Sequence, residues 1–121
     1  MRSVNKLFDF VAWIIHLTLK LPREHRFVLA EAVQRVTLAA QESAIRAGHS
    51  TTPADTARHL NQVALNMSLI RFYLRLAVHL SLITVKQHEY ASQRLTEIGR
   101  LLEAWRKSVA AKMGVSGAMA D

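Results

Sequence analysis

Residues 53–80 read PADTARHLNQVALNMSLIRFYLRLAVHL, and the fold turns on this stretch. Leu60, Val63, Met67, Ile70, Leu74 and Ala77 recur at three- and four-residue steps, the spacing of one helix face. At about 100° per residue, Leu65, Leu69, Phe72, Leu76 and Leu80 form a second apolar stripe nearly opposite the first. Arg71 and Arg75 lie along one seam between the stripes, and Gln62, Asn66 and Tyr73 along the other. A helix that must hide two opposite faces is central in a large protein or shared with another subunit. The chain has 121 residues, about one domain with one modest core. The second stripe is therefore expected to be an interface between copies of the chain, closed by symmetry.

Working outward, Thr52-Pro53-Ala54-Asp55 supplies an N-cap, a proline at the first helical position and an acidic residue in the first turn. Upstream, a helix is expected from Ser3 to Leu21, stopped by Pro22, and another from Pro22 or Arg23 to Ala47, ended by a left-handed Gly48. Downstream, the pattern breaks at Ser81 to Thr84. Thr84-Val85-Lys86-Gln87 then has the spacing of a capping box. A last helix follows to about Ala110, with Ala91, Leu95, Ile98, Leu102, Trp105 and Val109 on its inner face. Short connections make successive helices antiparallel. The expected fold is thus all-α: an up-down-up-down four-helix bundle over residues 1–110, with 111–121 as a flexible tail, assembling into a closed homo-oligomer. Phe8, Ile15, Leu19, Phe27, Leu38 and Ile45 lie off the main stripes and repeat the interface theme more weakly.

Composition agrees with long helices. Half of the residues are hydrophobic, yet only four are Gly and two Pro, too little turn chemistry for an all-β or doubly wound fold. The absence of Cys rules out disulfides, thiolate metal sites and a cysteine nucleophile, and suits the reducing cytoplasm where the protein is expected. The apolar run Leu7 to Leu21 is interrupted by Asp9, His16 and Lys20 and is shorter than the roughly 20 residues of a membrane span. It reads as a buried helix, and no membrane partner is expected.

The formal charge is +7, and the excess sits in the second half: residues 56–112 hold nine Lys/Arg and three Asp/Glu, against seven and five in 1–55. Such a charge serves solubility, or contact with a polyanion, an acidic protein face or a membrane surface. Arg71, Arg75, Arg94, Arg100, Arg106 and Lys107 are the candidate phosphate contacts, which need cations at suitable separations and carry no sequence code. Glu97 and Glu103 have the spacing to pair with Arg100 and Lys107. Catalytic constellations are missing. His88-Glu89 begins a zinc-protease pattern, but Ser92 stands where the second His belongs. There is no glycine-rich phosphate loop, serine elbow or carboxylate pair. No enzyme activity, metal or cofactor is expected.

Several blocks resemble a known family. Leu21-Pro22-Arg23 with His25-Arg26-Phe27, then 69–77 (LIRFYLRLA), 83–90 (ITVKQHEY) and Glu97-Ile98-Gly99-Arg100-Leu101-Leu102 with Trp105 are similar, in order and spacing, to the accessory variability determinant proteins of diversity-generating retroelements. The likeness spans about residues 7–108. It differs at Glu103-Ala104, where that family commonly carries small residues. The resemblance implies a four-helix fold like that of proteins encoded by intervening sequences in bacterial ribosomal RNA genes, and a pentameric barrel with a basic surface. It also implies two partners, a retroelement reverse transcriptase and the template RNA or its DNA copy. The competing reading is a structural or protein-interaction scaffold of the same fold without nucleic-acid binding.

Overall fold

The computed structural model describes residues 2–120, with side chains described for 4–24 and 28–114. Four long helices carry the fold: α1 (Arg2–Thr18), α2 (Glu31–His49), α3 (Pro53–His79) and α4 (Val85–Ala120). A single α-turn (Arg23–His25) and a five-residue π-helix (Arg26–Ala30) lead into α2. No strand occurs among the described residues. Each helix packs on its sequence neighbours, most extensively α2 on α3, and α1 also packs on α4, which closes the four-helix bundle.

The core is the expected one on α3 and α4: Leu60, Val63, Met67, Ile70, Leu74 and Ala77 are buried, as are Ala91, Leu95, Ile98, Leu102 and Val109. Trp105 is partly buried against them. Facing α3, α2 buries small residues, Ala40, Ser43, Ala44 and Ala47 beside Val33, Val36 and Thr37. Short side chains shorten the distance between helix axes, which accounts for the extent of the α2–α3 contact. The buried threonine hydroxyls cost little because each is bonded: Thr37 Oγ1 donates to Val33 O (2.6 Å), and Thr18 Oγ1 donates to Ile15 O (2.7 Å). Thr18 also accepts from Gln34 Nε2 at 2.9 Å, pinning the end of α1 to α2.

The helix ends correct the sequence reading in three places. α1 stops at Thr18, before Leu21, because the backbone tightens into a turn in which Lys20 N donates to Leu17 O and Leu21 N to Thr18 O. Pro22 therefore follows a turn that has already ended the helix. Gly48 does not take the left-handed conformation; α2 runs on to His49 and ends where Ser50 turns extended, its hydroxyl donating to Arg46 O at 2.8 Å. The left-handed residue is Ser81, with φ 60°. Ser81 N donates to Val78 O and Leu82 N to Ala77 O, the paired bonds of a Schellman motif, and apolar Leu82 and Ala77 stand at its two contact positions. α4 continues to Ala120, past the end expected near Ala110, so the segment 111–120 is helical backbone; Asp121 lies outside the described residues.

The N-caps match expectation. Thr52 Oγ1 accepts from Asp55 N (3.2 Å), and at the head of α4 Thr84 N donates to Gln87 Oε1 (2.9 Å) while Gln87 N donates to Thr84 Oγ1 (3.0 Å), a complete capping box. A serine held left-handed carries a penalty of about 1–2 kcal/mol that glycine avoids. Ser81→Gly is therefore expected to stabilise the fold by about 1 kcal/mol after the glycine's greater unfolded-state entropy is offset. Thr84→Ala is expected to cost about 1 kcal/mol. Thermal and urea unfolding of the two variants check both signs.

Candidate nucleic-acid interface

The six candidate cations do not form one cluster. Arg71 rises from the α3 seam expected for it and meets α4, its Nη2 donating to Thr96 Oγ1 at 3.4 Å. Arg106 of α4 reaches back across the same seam, with Nη2 donating to Asn61 Oδ1 at 3.0 Å. Between them runs an α3–α4 groove of about 210 Å³ lined by Arg71, Gly99, Glu103 and Arg106. A Cβ at Gly99 would meet nothing within 4 Å, so packing within the chain does not demand this glycine; its effect is to widen the groove. Toward the C-terminal end, Arg106 and Lys107 line a second cleft with Asn61 and Glu103. Arg100 is exposed on the outer side of α4, seven residues before Lys107 and so on the same face. Arg71, Arg106 and Lys107 thus occupy the α3–α4 side of the bundle, while Arg100, on the outer side of α4, shares a shallow cleft with Arg94, Thr96 and Glu97.

Arg75 and Arg94 stand apart from the α3–α4 clefts. Arg75 borders a shallow apolar cleft with Phe72, Leu76, Val78 and His79 at the C-terminal end of α3. Arg94 faces α1, lining a cleft with Lys6 and Asp9 and holding Glu97 through Nη1 at 3.3 Å. The carboxylates also meet other cations than expected. Glu97 lies 3.2 Å from Lys6 Nζ as well, and Glu103 lies 3.8 Å from Arg106 Nη1. The i,i+3 neighbour and a lysine from α1 reach these carboxylates, where sequence spacing alone had favoured the i+3 and i+4 partners Arg100 and Lys107. Arg71, Arg75, Arg100 and Lys107 take part in none of the ion pairs among the described residues, and all four are exposed.

The second stripe of α3 is open to solvent. Leu65 is 54%, Phe72 58% and Leu80 50% exposed, while Leu69 and Leu76 are partly buried at its edge. Phe8, Leu19, Leu38 and Ile45 are exposed as well, whereas Ile15 packs against the core and the Phe27 side chain lies outside the described residues. No group of His, Asp or Glu among the described residues is arranged to hold a metal ion. Among the described residues, no helix is long and apolar enough to cross a membrane.

A family model described as bAvd-like matches residues 1–109. The chain belongs to the bAvd-like family. Membership makes it an accessory variability determinant-like protein, as the sequence blocks had suggested, in a family of four-helix accessory proteins. Among solved structures, the chain is similar to a protein of unknown function from the S23 ribosomal protein family of Bacteroides thetaiotaomicron VPI-5482. That match has 24% identity and a TM-score of 0.81, and it covers 87% of this chain and 98% of the other. At that identity the likeness speaks for the fold alone. No curated protein matches.

Sequence reasoning missed Asn61 as the partner of Arg106, and it missed the seam between α1 and α4, where Trp13 and Tyr90 meet with ring centroids 4.7 Å apart. A cation four residues after an exposed aromatic, Tyr90 and Arg94, was the available signal. The hydrogen bonds of Arg71 and Arg106 are solvent-exposed and end on neutral acceptors, so they contribute little to folding. Arg71→Ala and Arg106→Ala are each expected to change the unfolding free energy by less than about 1 kcal/mol. Denaturant melts check this, and a larger loss would mark these arginines as structural.

Proposed function

We propose that this bAvd-like protein is a non-enzymatic accessory subunit. It forms a closed, basic homo-oligomer, a pentamer by family resemblance, and binds a retroelement reverse transcriptase together with template RNA or its DNA copy. The observation that carries the reading is the α3–α4 side of the bundle. There Arg71, Arg106 and Lys107 stand exposed with one carboxylate, Glu103, among them, and Arg100 is exposed on the adjoining outer side of α4; the outer apolar stripe of α3 beside them lacks cover in the single chain. Cations spaced along two antiparallel helices suit a phosphate backbone, because contacts of this kind need position and charge and no base-specific geometry. Repetition around a closed oligomer multiplies the strip and raises the effective concentration of sites along one strand.

Counterion release supplies the test. The logarithm of the association constant should fall linearly with the logarithm of salt concentration, and Arg100→Ala or Lys107→Ala should each shallow that slope by about one while weakening binding to all sequences alike. Titration of labelled RNA and DNA at a series of salt concentrations reads both effects. Salt-independent binding, or none, would favour the scaffold reading. For the assembly, Phe72→Glu puts a charge in the middle of the open stripe without touching the core, and the particle mass should drop toward the 13.6 kDa of one chain. Light scattering at matched concentrations compares it with the parent protein.

A further inference from the structure

The α1–α4 seam, on a different side of the bundle from the basic strip, has chemistry of its own. Tyr90, still 44% exposed, packs against Trp13 with the ring planes tilted by 46°, and the guanidinium carbon of Arg94 lies 5.4 Å from the Tyr90 centroid. Beside them opens a cleft of about 130 Å³ lined by Lys6, Asp9, Tyr90, Arg94 and Glu97. Two cations and two carboxylates share this small space, and Glu97 is bridged to Lys6 at 3.2 Å and to Arg94 at 3.3 Å. A phosphate would gain little from so balanced a set, since each cation already has an anion beside it. Arg94 Nε is shut off from solvent without a hydrogen-bond partner among the described residues, leaving a donor that lacks an acceptor.

A flat aromatic ligand with donors and acceptors along one edge matches the exposed Tyr90 ring, the guanidinium beside it and the Lys6 and Asp9 head groups. Its face would lie against Tyr90 and the guanidinium plane, as bases do on aromatic and arginine platforms. Its edge would meet the ammonium of Lys6 and the carboxylate of Asp9, which takes part in none of the ion pairs among the described residues. We infer that this seam takes one unpaired nucleobase, and that guanine fits best. Guanine's O6 accepts from Lys6 while its neighbouring N–H groups donate to Asp9. The inference rests on the nucleic-acid reading above and adds to it a preference for single strands, because in a duplex both the face and the edge of each base are already engaged.

Binding of a guanine-containing single-stranded RNA and of the corresponding duplex, by wild type and by Tyr90→Ala, tests this. The expected result is a loss of about tenfold or more on the single strand, the effect of removing one stacking platform, with duplex binding unchanged. A second readout stands apart from long-strand binding. In a Trp105→Phe background Trp13 is the only tryptophan, and guanosine monophosphate should quench its emission saturably, an effect lost with Tyr90→Ala. If duplex and single strand bind alike and Tyr90→Ala alters neither, the seam proposal falls while the phosphate reading stands. If the wild type binds neither, both fall. Absence of saturable quenching also overturns the seam proposal.

Discussion

Everything in this protein depends on a helix with two apolar faces. The inner face of α3 buries Leu60, Val63, Met67, Ile70, Leu74 and Ala77 and so holds α2 and α4 on its two flanks. The outer face carries Leu65, Phe72 and Leu80 into solvent, each at least half exposed. Burying a large aliphatic or aromatic side chain is worth about 1.5–3 kcal/mol, so a row of them left in water is a strong incentive to associate. Patterning for one bundle alone would have placed polar residues there. The same constraint puts Arg71 and Arg75 on the seam between the faces, where both are exposed in the single chain.

The basic residues follow from that geometry. With α3 committed on both faces, its polar positions are confined to two narrow seams, and the seam toward α4 carries the arginines. Arg106 reaches across from α4 to Asn61, and Gly99 keeps the intervening groove open. The result is a strip of cations backed by rigid helix, where charges stay at fixed separations. The α1 side of α4 holds a different balance, with Glu97 bridging Lys6 and Arg94 beside the Trp13–Tyr90 pair. One side therefore carries an excess of positive charge, and on the other the charges are nearly balanced.

The helices were legible because their signals are local and redundant. Thr52-Pro53 and Thr84 with Gln87 are start signals whose partners lie within one turn, and the inner stripes of α3 and α4 repeat often enough to tolerate a misplaced residue. Helix ends were less legible. Ser81 takes the left-handed position that glycine usually holds, because α3 must turn back toward α4 there, whereas Gly48 stays helical because α2 runs on to an extended Ser50. The π-helix at 26–30 has no sequence signature in the pattern of apolar residues. In the site, residue types were visible but pairings were not. Spacing along one helix suggested partners for Glu97, whereas Lys6 arrives from α1, and nothing along the chain announces a contact between residues so far apart in sequence.

The most direct test of the account is the mass of the purified protein in solution, followed by light scattering through a wide dilution series. A closed assembly covering the outer face of α3 should give one species at a fixed multiple of 13.6 kDa that persists on dilution. A stable, soluble monomer would contradict the account, because the outer face of α3 would then need no partner.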